Sequence, residues 1–185
     1  MSDYPRTIDN GSGERLTFSE PRTDERGVLQ EATNVVSPGS GPPMHVHHLQ
    51  EESLTVERGT MGWQRPRGEE HLAHTGETVT FPPEDTHRFW NAGDDELVVS
   101  GYVRPPDNLE YYLTQMFASM RENGGKRPRL FDAAYLLTRY RFEFGMAEIP
   151  APVQRVVFPI VVAIGRLLGR HRRFDGAPEP VSRLD

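Results

Sequence analysis

The sequence contains no cysteine among its 185 residues. This absence excludes disulfide frameworks, thiolate zinc sites, cysteine nucleophiles and iron–sulfur ligation, so any metal ion must be held by histidine and carboxylate side chains. Positive charge is also in deficit, because 21 lysines and arginines face 27 acidic residues and give a net charge of −6. Since nucleic-acid-binding domains normally carry a basic excess, we expect no nucleic-acid partner.

Long hydrophobic runs are absent as well. The most apolar stretch, residues 156–165, contains Pro159 and is flanked by arginines, whereas a membrane-spanning helix needs about 20 apolar residues. The first residues show no basic segment followed by an apolar core, so no secretory signal is predicted. A cytoplasmic location is therefore the expectation.

The chain from about residue 15 to 104 has the pattern of a mainly β domain. Short β-branched or aromatic runs alternate there with turn clusters, and such spacing is typical of an all-β sandwich or barrel. The flanking segments 1–14 and 174–185 are polar and are predicted to be a flexible leader and a flexible tail. The predicted strands are Arg15–Phe18, Val28–Val36, Met44–His47, Ser53–Glu57, Thr60–Gln64, Glu70–His74, Glu77–Phe81, His87–Asn91 and Glu96–Val103.

A helical segment over residues 107–173 is predicted to follow the β domain. Asp107 is the predicted N-cap of its first helix, with Glu110 as the acid of a capping box. Two more helices are predicted over about 130–142 and 152–170. In the first helix, apolar residues recur with a period of about 3.6 at Leu109, Tyr112, Leu113, Met116, Phe117 and Met120.

Candidate metal ligands lie in two stretches of the β domain. His45 and His47 are two residues apart on a predicted strand and therefore project from the same face. Glu52 follows after a short loop with the parity of the barrel interior, and His87 offers a further imidazole. Three imidazoles and one carboxylate suit a divalent transition ion, with Fe, Mn, Ni, Co, Cu and Zn all left open. His48, His71 and His74 are predicted to lie outside the site.

These two stretches resemble the two motifs of the cupin family, with Glu84 standing where the family usually has glycine. The resemblance covers roughly residues 27–104. It implies a single jelly-roll type β-barrel, metal ligation by the four residues named above, and pairing into a homodimer. The matching residues are Gly39, His45, His47, Glu52 and Gly59 in the first motif and Gly76, Pro82, His87 and Asn91 in the second.

The resemblance leaves the function open, because cupins include dioxygenases, isomerases, decarboxylases and non-catalytic sensors. Met61, Trp63 and Phe89 have inward parity and are predicted to line a substrate pocket, with core filling as the alternative. This apolar lining favours a dioxygenase-type oxidoreductase acting on a small enolic or phenolic molecule, with Glu52 as ligand and catalytic base. The alternatives are a cupin isomerase or lyase with the same metal, and a small-molecule-binding or sensory module.

Charge divides the chain into an acidic and a basic part. Residues 1–120 carry 9 basic and 20 acidic side chains, and residues 121–173 carry 11 and 4. One interpretation is that the basic helices cover the barrel or a dimer partner. The other is a peripheral membrane contact, in which the last helix lies in the interface of an anionic membrane. The apolar face of that helix comprises Val153, Val156, Val157, Ile160, Val161, Ile164, Leu167 and Leu168.

Overall fold

The computed structural model describes residues 3–181, and its fold is mainly β with a helical segment after the strands. The alternation of apolar and polar residues predicted most of these strands. The described strands are β1 (Arg6–Asp9), β2 (Glu14–Phe18), β3 (Arg22–Asp24), β4 (Gly27–Val36), β5 (His45–His47), β6 (Glu51–Arg58), β7 (Thr60–Gln64), β8 (Glu70–His74), β9 (Thr78–Phe81), β10 (Arg88–Asn91), β11 (Leu97–Arg104) and β12 (Phe144–Met146).

The strands form antiparallel sheets that enclose the first core. The larger sheet has the order β1-β2-β4-β11-β6-β9, with β3 also paired to β4, and a smaller sheet has the order β10-β7-β8. Side chains from both sheets pack into one apolar cluster, so the two sheets face each other as in a jelly-roll barrel. The buried members are Val36, Leu54, Val56, Phe81, Leu97 and Val99 from the large sheet and Met61, Ala73 and Phe89 from the small one.

The helical segment builds a second core outside the barrel. It consists of α1 (Leu109–Glu122), α2 (Leu130–Arg139) and α3 (Phe158–Leu167), and a π-helical turn at Val153–Val157 leads directly into α3. The predicted 3.6 period holds for α1, because Leu109, Tyr112, Met116 and Phe117 are its buried apolar residues. They pack with α2, α3 and β12 against one flank of the barrel.

The prediction of a loose leader over residues 1–14 is wrong from Tyr4 onward. β1 pairs with β2 from Arg6 opposite Phe18 to Asp9 opposite Arg15. The side chains of Tyr4 and Arg6 also bond to the carboxylate of Glu110 on α1. These long-range contacts order a segment whose composition alone predicts none.

The helix cap also differs from the prediction. Asn108, and not Asp107, is the N-cap of α1, and no side-chain cap bond forms there. Asp107 has a φ of 43° and accepts a hydrogen bond from Gln50. The Glu110 carboxylate accepts hydrogen bonds from Tyr4, Arg6 and Gln30, so it is not available for a capping box.

The tail over residues 174–185 is docked as far as the structure describes it. Phe174 is buried, and its ring stacks on Tyr135 with centroids 4.4 Å apart. The carbonyl of Pro178 accepts a hydrogen bond from the Tyr140 hydroxyl, and the amide of Val181 donates to Glu143. Residues 174–181 thus make contacts that the sequence did not predict, while residues 182–185 lie outside the described part.

The last helix packs on α2 through one face only. Phe158, Val162 and Gly165 are its buried residues, and Gly165 lies so close to the Phe131 ring that any Cβ would collide with it. Among residues 3–181, no helix has both the length and the hydropathy needed to cross a bilayer.

Candidate metal centre

Three neighbouring segments bring the predicted ligands together. β5 carries His45 and His47, β6 carries Glu52, and His87 immediately precedes β10. The backbones of His45 and His87 form an antiparallel bridge, with each amide donating to the other carbonyl at 2.9 Å. This bridge places the second motif directly beside the first.

The side chains converge on the Glu52 carboxylate. One ligand atom from each of His45, His47 and Glu52 lies within 4.8 Å of the other two. The Oε2 atom of Glu52 is 3.9 Å from Nε2 of His45, 3.8 Å from Nε2 of His47 and 2.8 Å from Nε2 of His87. All four predicted ligands therefore meet, with the Nε2 atom of each imidazole turned toward the carboxylate.

Backbone carbonyls fix the orientation of two of these rings. Nδ1 of His45 lies 2.9 Å from the Pro43 carbonyl oxygen, and Nδ1 of His87 lies 2.9 Å from that of Asp85. A carbonyl can only accept, so each Nδ1 carries the hydrogen and donates it. This leaves both Nε2 atoms turned inward, which is how protein groups usually orient metal-binding histidines.

An ion pair anchors the loop that orients His87. The Arg65 guanidinium donates through Nε and Nη2 to both carboxylate oxygens of Asp85, at 2.6–3.0 Å. The same guanidinium lies 5.2 Å from the Trp63 ring centroid and 5.9 Å from that of Phe81. Arg65 therefore packs against Trp63 and Phe81 and also anchors the residue whose carbonyl holds His87.

Burial and charge set the protonation of the cluster. Burial, reinforced by repulsion from His47 and His87, lowers the pKa of His45 to about 3. Burial likewise lowers the pKa of His47. Burial disfavours the charged forms of Glu52 and His87 too, but their mutual contact outweighs it, lowering the pKa of Glu52 to about 2 and raising the pKa of His87.

This donor set fits a divalent transition ion. Metal binding needs deprotonated ligands, and the cluster already holds an ionised carboxylate with two neutral imidazoles. Nitrogen and carboxylate donors suit the six candidate metals without selecting one. The site opens to solvent on one side, because the side chains of His45 and Glu52 are 16% and 14% exposed, whereas that of His87 is 1% exposed.

The three predicted pocket residues lie in different surroundings. Met61 and Phe89 are buried within the barrel core, as the core-filling alternative has it. Trp63 is half-buried, stacks on His71 with centroids 4.4 Å apart, and meets Phe81 edge-on at 5.9 Å. Trp63 is connected to the ligands through an intermediate ring, that of Phe81.

That intermediate ring, Phe81, was not singled out from the sequence. It stacks face to face on His87 with a centroid distance of 3.6 Å. Strand parity could have found it, since Phe81 lies opposite Glu52 in the pairing of β9 with β6. Phe81 therefore covers the most buried ligand.

The helical segment also reaches the site, which the sequence did not predict. β12 pairs with β5, with Phe144 opposite His47 and Met146 opposite His45. The Phe144 ring contacts the His47 ring edge-on at 5.6 Å. In the described part of the chain, Nδ1 of His47 is buried without a hydrogen-bond partner, so this ring is oriented by packing and not by a carbonyl.

Glu84, the departure from the second motif, keeps the backbone shape of a glycine. Its φ is 69°, and its amide donates to the His47 carbonyl at 2.8 Å. Its carboxylate lies 2.7 Å from Nδ1 of His48. The turn that presents His87 is thus retained, and His48 faces the turn and not the ligand cluster.

Comparison with known proteins agrees with this geometry. Residues 33–102, which include all four candidate ligands, match the family described as "Cupin domain". "Oxidoreductase iacF" of Pestalotiopsis fici is 28% identical over 91 residues, covering 48% of this chain and 45% of that protein. "Probable oxidoreductase virH" of Hypocrea virens is 26% identical over 101 residues, covering 51% and 46%.

These matches are partial. The chain matches less than half the length of either curated relative. Among solved structures, a Cupin 2 conserved barrel domain protein from Salinispora arenicola is 22% identical, covers 56% of this chain and 84% of that chain, and superposes with a TM-score of 0.44. The barrel strands account for the family match, and the helical segment lies beyond it.

Proposed function

The chain belongs to the cupin superfamily through residues 33–102, and we propose that it binds one divalent transition metal ion and acts as a dioxygenase-type oxidoreductase on a small enolic or phenolic molecule. The observation that carries the proposal is the convergence of His45, His47, His87 and Glu52, with Nε2 of each imidazole within 3.9 Å of one carboxylate oxygen. The two relatives named as oxidoreductases support the reaction class.

Each part of the site has a distinct role in this proposal. The three histidines and Glu52 would hold the ion, which supplies Lewis acidity and, where redox-active, electron exchange with oxygen. Glu52 Oε2 and His87 Nε2 share a hydrogen bond of 2.8 Å. This hydrogen bond would be given up once His87 Nε2 held the ion, and the Glu52 carboxylate is then the base that would accept the hydroxyl proton of an enol or phenol.

The surroundings favour a small, largely apolar substrate. Trp63 is the half-buried aromatic side chain beside the site and contacts the buried Phe81 ring behind His87, and the solvent-facing side is formed by His45 and Glu52. A planar enolic or phenolic molecule combines an apolar face with an acidic hydroxyl. It therefore matches an apolar wall beside a carboxylate.

Oxygen consumption by the metal-loaded protein tests the proposal. The full chain is loaded with each candidate metal and assayed against a panel of catechols, flavonols and diketones, with Glu52→Gln as the site variant and Glu69→Gln as an exposed control. We expect oxygen uptake with at least one pair of metal and substrate, lowered ~10²–10⁴-fold in Glu52→Gln and unchanged in the control. Product formation without oxygen uptake would contradict the oxidoreductase assignment and support an isomerase or lyase.

A further inference from the structure

The segment from residue 151 to 173 exposes an apolar face at helical spacing. Six of its large aliphatic side chains, on α3 and at its two ends, are 45–89% exposed and lie away from the buried residues of α3. Val153 and Val161, which the sequence pattern placed on the same face, instead pack against the helical core. Solvent exposure of this extent, in one contiguous patch, marks an interaction surface. We name it the α3 face; it comprises Val156, Val157, Ile160, Ile164, Leu167 and Leu168.

The segment that carries this face is basic and contains no acidic side chain. Residues 151–173 contain five arginines and no aspartate or glutamate. Arg173 is engaged with Glu122 and Asp132. Among residues 3–181, no ion pair involves the other four arginines of the segment, and all four are exposed; they are Arg155, Arg166, Arg170 and Arg172.

A second copy of the chain is a poor match for this face. A closed twofold contact would set one α3 face against the other and bring their arginines together, which costs free energy. The acidic barrel of a second copy is also a poor partner, because it lacks an apolar patch. Within the described residues, its exposed large aliphatic side chains are the isolated Val28 and Leu72. It offers charge without an apolar patch.

We propose that the α3 face docks on the surface of an anionic phospholipid bilayer. The aliphatic side chains would enter the boundary between headgroups and acyl chains, and the four unpaired arginines would face the lipid phosphates. No helix of the described chain spans a bilayer, so the contact is peripheral. The Gly169 residue, with a φ of 71°, ends the helix and turns the basic residues 170–173 back beside it.

The same segment is joined to the metal centre through β12. β12 lies between α2 and the π-helical turn that begins α3, and its Phe144 touches the ligand His47. Docking on a bilayer would therefore place the open side of the site at a fixed position relative to the membrane. The membrane proposal itself does not depend on which reaction the site performs.

Vesicle flotation of the full chain tests the proposal. Phosphatidylcholine vesicles are compared with equimolar phosphatidylcholine and phosphatidylserine vesicles at low and high salt. We expect flotation with the anionic vesicles only, and its loss at high salt. Absence of flotation with anionic vesicles at low salt, or equal binding to both vesicle types, overturns the proposal.

Matched variants separate this surface from the rest of the molecule. Leu167→Glu places a charge on the most exposed aliphatic, which is 89% exposed, so folding is preserved while vesicle binding is expected to be lost. Arg166→Gln with Arg170→Gln should weaken binding ~25-fold, at about fivefold per basic residue. Leu72→Gln on β8 is the control and should bind as the unaltered chain does. If Leu167→Glu instead converts a dimer to a monomer in light scattering and leaves flotation unchanged, the face is a contact between copies and the proposal is wrong.

Discussion

Asp85 orients a metal ligand through its backbone carbonyl, while its side chain forms an ion pair with a residue outside the centre. Its carbonyl accepts the Nδ1 hydrogen of His87, and its carboxylate is clamped by Arg65. Outer groups of this kind typically change metal affinity 10–100-fold when removed. Arg65, which touches no ligand, therefore helps to position the most buried one.

Replacing Arg65 tests this positioning role. We expect Arg65→Gln to weaken metal binding by about tenfold while the barrel stays folded, because the loop carrying the Asp85 carbonyl loses its anchor. Competition titration with a chromophoric chelator measures the affinity, and Arg67→Gln, on the same loop, is the control. Equal affinities in both variants would show that the ion pair does not position His87.

Two replacements of Glu84 test whether the left-handed turn is strained. A residue with a side chain costs roughly 1–2 kcal/mol more than glycine in this conformation, and Glu84 has a φ of 69°. Because both Glu84→Gly and Glu84→Ala remove the contact with His48, their difference isolates the backbone cost. Urea unfolding should find the glycine variant about 1 kcal/mol more stable than the alanine variant. Equal stabilities would contradict the strain.

Glu14 gives the stability of the fold a pH dependence of its own. Burial raises the pKa of Glu14 to about 7 from an ordinary 4.5, although the Asn34 amide opposes the shift. The folded state thus binds this proton more tightly than the unfolded chain, so the stabilisation is complete below about pH 4.5 and is lost as pH rises toward 7.

Glu14→Gln is expected to remove that dependence. An uncharged amide costs less to bury, and it can donate to Oδ1 of Asn34, which has no partner in the described residues. Urea unfolding should show the variant about 2 kcal/mol more stable than the unaltered chain at pH 8 and nearly equal to it at pH 5. The exposed Glu20→Gln is the control. If the pH profile of the variant's stability matched that of the unaltered chain, the pH dependence could not be assigned to Glu14.

At the scale of elements, β12 is the connection between the helices and the site. Gly145 lies opposite Val46 in the pairing with β5, and a Cβ there would lie 2.9 Å from a Val46 methyl carbon and 3.2 Å from Nε2 of His48. The close approach requires glycine. This short strand thus depends on one residue that the sequence pattern does not mark.

Gly145→Ala is predicted to loosen that connection. Overpacking should cost about 1–3 kcal/mol in unfolding free energy, and metal affinity should fall with it because His47 loses its packing against Phe144. Urea unfolding and chelator competition measure the two effects. Gly93→Ala, where the nearest neighbour is 3.5 Å away, is the control and should change neither. A stable variant with full affinity would show that β12 does not support the site.

The elements that sequence could predict are those with a strong period. β11 buries Leu97, Val99 and Val103 on one face, and α1 repeats its apolar residues every three to four positions. β1 has Ile8 as its one apolar residue, and β12 has three residues in all. Neither is long enough to show a period, because long-range pairing and not local pattern creates them.

The candidate site divides in the same way. The motif spacing predicted His45, His47, Glu52 and His87, because strand parity and the resemblance both depend on short-range order. Arg65 acts through Asp85, which lies 20 positions away in the chain. Phe144 acts through the pairing of its strand with the strand that carries His47. No local pattern contains that information.

At the scale of the whole molecule, two apolar cores meet at the candidate metal centre. The barrel core includes Phe81, which stacks on His87, and the helical core includes Phe144, which contacts His47. The helical segment therefore packs against the metal centre and also carries the α3 face. We therefore expect an intact centre to require both cores.

The metal content of the full chain tests the assignment of the metal centre. Elemental analysis of protein loaded with each candidate ion, then freed of loose metal, should find one ion per chain. Single alanine replacements of His45, His47 and His87 should lower that content at least tenfold, while His74→Ala, on the exposed strand β8, should leave it unchanged. Equal metal content in the three variants and the unaltered chain would contradict the assignment of a metal centre.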